Sequence, residues 1–209
     1  MNFHFFLNFM KDISLHYKRN GMRTSITFPT SQELITFLEV ESSKEYTYPE
    51  VGATTQTTHF AHYDNDHNYG VIGKGETTWE KAKSSIQNWQ QFPLPWTKIY
   101  PNTTPLKEGE VVAVVFRLFG IWWRNSARIV YTFDEPNRYG FAYGTLPGHI
   151  EMGEEVFWIE RNKEGEVSYH IKAFSKPRFW LAKLGYPIAR LYQRKFVRES
   201  IASMKRYCE

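Results

Sequence analysis

The stretch ARIVYTFDEPNRYGFAYGTLPGHIEMGEEVFWIE, residues 127–160, decides the fold of this chain. Its side chains alternate with period two, as strands require. Tyr131 and Phe133 share one face, while Tyr139, Phe141 and Tyr143 share another. Gly140, Ala142 and Gly144 leave the opposite face of the second run nearly bare, so something can approach closely there. DEPNR and LPGH are turn signals too short for a parallel crossover, so the three runs form antiparallel neighbours. In LPGH, Pro147 suits the second position of a type II turn. Gly148 would supply the positive φ of the third.

Working outward, the same period predicts strands over Tyr69–Glu76, Trp96–Tyr100, Glu110–Arg117, Ala127–Phe133, Tyr139–Thr145, Glu151–Arg161 and Glu166–Phe174. Between the first two, Trp79, Ala82, Ile86 and Trp89 recur at helical spacing, with Thr77 and Glu80 as a capping box. A long helix over Arg178–Tyr207 follows the last strand, with an apolar stripe Leu184, Ile188, Tyr192, Phe196 and a break at Gly185–Pro187. Upstream, Thr30 and Glu33 form a second capping box that opens a short helix through Leu34, Phe37 and Leu38. The fold class is therefore α+β: a curled antiparallel sheet of about seven strands that grips a long C-terminal helix. Residues 1–44 read as an N-terminal extension, with Met22 as an alternative start, and residues 45–209 as the helix-grip domain.

Composition narrows the function classes. Aromatics make up 17% of the 209 residues, more than packing alone asks for. Cys208 is the single cysteine, so no intrachain disulfide and no CxxC motif exists. The chain shows no apolar run of membrane-span length and no signal peptide, which together predict a cytoplasmic protein. Gly73-Lys74-Gly75 lacks the spacing of a phosphate loop, and no other cofactor motif is present. The net charge of +4 comes largely from the last helix, where Lys183–Arg206 holds seven Lys or Arg against Glu199. Such a face is a solvated surface or meets an anionic membrane; its partial aromatic interleaving does not suit nucleic acid.

Several blocks resemble one family: YPEVGAT, FPLPWTKIYP, GEVVAVVFR, ARIVYTFDEPNRYGFAYGTLPGH, GEEVF and IKAFSKPRFWLAKLGYPIARLYQR. They are similar to the family labelled domain of unknown function nineteen-ninety, over about Glu45–Arg206. That family is grouped with START-like and birch-pollen-allergen-like (Bet v 1-like) helix-grip proteins. The resemblance implies the same fold and carries no established activity.

A helix held by one narrow stripe cannot fill a seven-strand concavity. A cavity of some 300–1,000 Å³ is therefore expected between sheet and C-terminal helix, binding an apolar or aromatic small molecule or a lipid. Its expected aromatic lining is Tyr131, Phe133, Tyr139, Phe141, Tyr143, Trp158 and Tyr169; a solid interior, or a void that omitted most of these rings, would remove the ligand-binding reading and leave a surface-interaction role ahead. His149 and Glu151 are either an acid/base couple for a cyclase or dehydratase, or a turn cap beside a solvated glutamate. Arg117 interrupts an apolar strand, which requires a salt bridge or a bound anion. Trp122 and Trp123, read as a loop, either gate an entrance or fold under as core. His59, His62 and His67 carry metal-ligating groups, but nothing in their spacing fixes a geometry, so no metal is expected.

Overall fold

The computed structural model describes residues 23–56, 58–92, 95–178 and 186–209. In chain order these give β1 (Arg23–Ser25), α1 (Ser31–Ser42), β2 (Asp64–Lys74), α2 (Glu76–Gln87), β3 (Thr97–Tyr100), β4 (Val111–Leu118), β5 (Ile121–Glu135), β6 (Arg138–Thr145), β7 (Glu151–Arg161), β8 (Glu166–Pro177) and α3 (Tyr186–Cys208). Seven strands run in the order β2-β8-β7-β6-β5-β4-β3, with β1 added against β5. All the pairings are antiparallel. Register shifts at Val71/Gly73 and Ile129/Tyr131 help the sheet to curl. The result is the helix-grip fold, with α2 and α3 in the concavity and α1 on the convex side.

Packing differs along α3. Towards its C-terminus, Ile201, Met204 and Cys208 join Trp79, Ala82 and Ile86 of α2 in a solid core over Phe141, Phe157 and Tyr169. Gly70 lets this end of α3 come close to β2: a Cβ there would lie 2.7 Å from Ile201 Cγ2. Among the described residues the N-terminal half has no second helix beside it, and that is where space remains.

On the convex face, the Thr30 capping box forms as the sequence predicts: Thr30 Oγ1 accepts from Glu33 N–H, and the Glu33 carboxylate accepts from Thr30 N–H at 2.8 Å. It starts α1, which buries Leu34 and Phe37 against Ala113, Val115 and Trp122. The bare face of β6 is covered by the segment after α1, whose Tyr48 hydroxyl occupies the space a Cβ at Gly144 would need.

Four sequence expectations are corrected. Trp122 and Trp123 lie on β5, which starts at Ile121 instead of Ala127, because Phe119 and Gly120 make a tight turn with φ of 51° and 81°. The Thr77–Glu80 capping box does not form. Gly75 is the N-cap, its N–H tied to Gly165 O at 2.8 Å, so a tertiary bond starts α2 one residue before Thr77. β2 starts at Asp64, five residues earlier than expected, because pairing with β8 extends both strands. The Pro147-Gly148 corner is a turn closed by His149 N–H to Leu146 O at 2.9 Å, but Gly148 is not left-handed. It is a glycine of close approach: a Cβ there would meet Phe37 Cζ and Ser126 Oγ at 2.7 Å. Leu184 and Gly185, part of the expected stripe and break, lie outside the described residues.

Candidate functional site

A cavity of about 730 Å³ lies between the N-terminal half of α3 and the open end of the sheet. Its apolar wall is aromatic. Phe116 of β4 and Trp123 of β5 stack with centroids 6.3 Å apart. Across the space, Tyr192 and Phe196 come from α3, and Phe92 and Trp96 from the segment before β3. Tyr192 meets Trp96 edge-on at 5.7 Å and Phe119 of the β4–β5 turn at 6.2 Å.

The polar wall is built by β7 and its neighbours. Alternation along β7 aims Glu151 and Glu155 at the concavity, on either side of Gly153. Glu155 Oε2 accepts from the Tyr143 hydroxyl of β6 at 2.7 Å. Glu151 Oε1 accepts from Gln193 Nε2 of α3 at 2.7 Å. One turn earlier on α3, Arg190 is held by Asp66 of β2, with Nη2 at 2.8 Å from Oδ1. His149 Nδ1 lies 3.0 Å from the backbone N of Glu151 and 3.2 Å from its carbonyl O, so the ring is held against the Glu151 backbone.

Electrostatics follow from this enclosure. Burial pushes both Glu151 and Glu155 up to about 7. For Glu151 the Ser175 hydrogen bond and the Arg190 charge oppose the rise; for Glu155 the Tyr143 hydrogen bond opposes it and the Glu151 charge adds to it. Burial likewise drops His149 to about 4, helped by the Arg178 charge, and raises the Tyr143 phenol well above its usual range. The wall thus holds a neutral imidazole and two carboxyls near half-ionisation at neutral pH. That arrangement can accept hydrogen bonds, give protons and take them.

The structure brings together His149, Glu151, Tyr143 and Trp123 from the sequence candidates. It places the others elsewhere. Tyr131, Phe133 and Trp158 cluster on the convex face with Val130, Ala142 and Val156. Tyr139, Phe141 and Tyr169 face the concavity but sit under the plug made by α2 and the end of α3, where Tyr169 bonds Ser200 at 3.0 Å. Trp122 packs on α1. Arg117 is exposed, its guanidinium 5.8 Å from the Trp122 ring, so no burial forces a partner on it. The void therefore has the expected size and omits most of the expected rings, replacing them with Phe92, Trp96, Phe116, Phe119, Tyr192 and Phe196. The register shift at Ile129/Tyr131 moves Tyr131 and Phe133 to the convex face, and the plug covers Tyr139, Phe141 and Tyr169; neither can be read from alternation, whereas Trp158, out of phase with Glu151 and Glu155, stands on the convex face by alternation itself.

Sequence reasoning also missed Glu155, Asp66, Arg190 and Gln193 as wall residues. For Glu155 the signal was present, since period two puts it on the face of Glu151. His59 and His62 are exposed, and His67 stacks on Trp158 at 5.3 Å and bonds His170 at 3.2 Å on the convex side. Among the described residues no group of three or more His, Cys, Asp or Glu is placed to hold a metal. Among them, too, no helix is long and apolar enough to cross a membrane.

Comparison with known proteins agrees with this architecture. A UPF0548 protein of Dictyostelium discoideum is 30% identical over 197 residues, covering 84% of this chain and 91% of its own. One from Deinococcus radiodurans is 37% identical over 139 residues, covering 61% and 69%. The crystal structure of a hypothetical protein from Helicobacter pylori matches with a TM-score of 0.50 at 11% identity, over 79% of this chain and 96% of that one, a likeness of fold alone. The profile described as "Domain of unknown function (DUF1990)" matches residues 47–203, and the chain belongs to that family.

Proposed function

We propose that the protein binds an apolar or aromatic small molecule, or a lipid, in the cavity between sheet and α3. One observation carries the reading: about 730 Å³ of space, within the usual range for a small-molecule site, lined by aromatic rings on one side and convergent polar groups on the other. The criterion drawn from the expected rings is not met, since of those seven only Tyr143 lines the void; the reading rests instead on six other rings, Phe92, Trp96, Phe116, Phe119, Tyr192 and Phe196, which supply the same kind of surface. The surface-interaction reading loses ground because the basic face of α3 is partly neutralised, Arg190 by Asp66 and Lys195 by Glu199 at 2.8 Å. The setting that suits this role, with a single thiol at Cys208, is the cytoplasm.

Native mass spectrometry of protein purified from its own host tests the reading. A retained organic molecule that Ala173→Trp, which fills the cavity wall, expels is the expected result. Protein that comes out empty and pellets with anionic liposomes overturns it.

A second reading, acid/base chemistry in the same cavity, is favoured by Glu155, whose carboxyl titrates near neutrality while bonded to Tyr143. The same experiment on Glu155→Gln separates the two. A binder retains the same mass in both proteins, whereas an enzyme retains a different species once its proton donor is removed.

A further inference from the structure

The chemical class of the ligand can be narrowed from the charges that face the cavity. On the reading that the cavity binds a small molecule, we propose that this molecule carries a protonated amine on its apolar body, and that Glu151 and Glu155 receive it. The groups facing these two carboxyls come from every element around them. From β2 comes Asp66, from α3 Arg190 and Gln193, from β6 Tyr143, and from the turn before β7 His149. Arg190 is already committed, since both of its terminal nitrogens reach the Asp66 carboxylate and Nη1 also meets Gln193 Oε1 at 2.8 Å. The Asp66–Arg190 pair is close to neutral and His149 carries no charge; Arg194 and Arg198 also line the cavity, but from its solvent-exposed end, where the Arg194 charge acts on Asp66. Glu154 belongs to the other face, where Tyr48, Gly52 and Thr54 hold its carboxylate. Among the described residues no cation is bonded to Glu151 or Glu155, whose side-chain partners are Tyr143, Gln193 and Ser175.

Each carboxylate offers about four acceptor positions. Tyr143 is bonded to Glu155, and Gln193 and Ser175 to Glu151, so both keep acceptor capacity towards the cavity. An ammonium supplies three donors and the opposite charge. A ligand carboxylate would instead set further negative charge against two carboxyls that have no bonded cation. The aromatic wall suits the same ligand, because ring faces attract cations as well as apolar chains. An amine also explains how two enclosed carboxyls are tolerated: the ligand completes a charge balance that the protein alone leaves open.

Isothermal titration calorimetry with decylamine, decanol and decanoate tests this on the full chain. Decylamine is expected to bind at least about tenfold tighter than decanoate, and the ratio should collapse in the Glu151→Gln, Glu155→Gln double variant. Should that variant fail to fold, wild-type titrations in two buffers of different ionisation enthalpy decide. Bound ammonium favours the ionised glutamates, so up to about one proton is released per decylamine near pH 6.5. Decanoate binding as tightly as decylamine, a ratio that survives the double variant, or amine binding without proton release overturns the proposal. If decanol binds and the amine preference is absent, the cavity reading stands without it. If none of the three binds, the cavity reading itself falls.

Discussion

The carboxylate of Glu41, on the convex side of the sheet, accepts the backbone N–H of Gly148 at 2.6 Å, one residue before the histidine that faces the cavity. The same Oε2 accepts the Ser126 hydroxyl at 2.7 Å, and Oε1 pairs with Lys44 at 2.6 Å. Helix α1 thus holds the corner between β6 and β7. Glu41 is 1% exposed, so Glu41→Ala leaves a buried N–H and a buried hydroxyl without their acceptor. A loss of about 2–4 kcal/mol in urea unfolding is expected. Lys44→Ala, which removes only the half-exposed partner, should cost less than about 1 kcal/mol.

Gly148→Ala should destabilise by about 1–3 kcal/mol through overpacking, because its Cβ would meet Phe37 and Ser126 at 2.7 Å. The cause is side-chain crowding, so Phe37→Leu should recover part of the loss when combined with Gly148→Ala. Strictly additive losses in a double-mutant cycle would show that crowding is not the reason.

Glu151 and Glu155 give stability an unusual pH sign. Their folded values near 7 lie above the ordinary 4.5, so the native state holds more protons than the unfolded chain between those limits. Their contribution is present below about pH 4.5 and lost as pH rises through about 7. His149, lowered to about 4 from 6.5, acts in the opposite sense and hides part of this in the wild type. The Glu151→Gln, Glu155→Gln variant isolates the effect. Relative to wild type it should gain about 1–3 kcal/mol between about pH 5 and pH 8 in chemical denaturation. A constant difference across that range would contradict the assigned burial.

Glu154 pins the segment after α1. Tyr48 donates to it at 2.8 Å, Gly52 N–H at 2.7 Å and Thr54 N–H at 3.0 Å, with the Thr54 hydroxyl as a further donor. Glu154→Ala should cost about 3–5 kcal/mol by stripping the acceptor from four donors, three of them buried. Limited proteolysis should then cut near Gly52 before the sheet is attacked. Unchanged cleavage would mean the segment is held by its other contacts, Tyr48 on Phe174, Lys172 Nζ on Thr54 O and Thr47 N–H on Thr145 O.

Period and turn chemistry determined most of the fold. The sheet from β3 to β8, the capped helix at Thr30 and the concave position of Glu151 all follow from spacing between near neighbours, where local sterics act. Partners distant in sequence determined the rest. α2 starts at Gly75 because of a bond to Gly165, and β5 reaches back to Ile121 because β4 and β1 pair with it. Only the tertiary structure decided which aromatics see empty space. Tyr139, Phe141 and Tyr143 share one face of one strand, yet α2 and the end of α3 cover the first two and leave the third beside Glu155. Alternation fixes the side on which a ring stands. Whether that ring meets a helix or a cavity depends on where a second helix ends, and the twist and curl of the whole sheet set that.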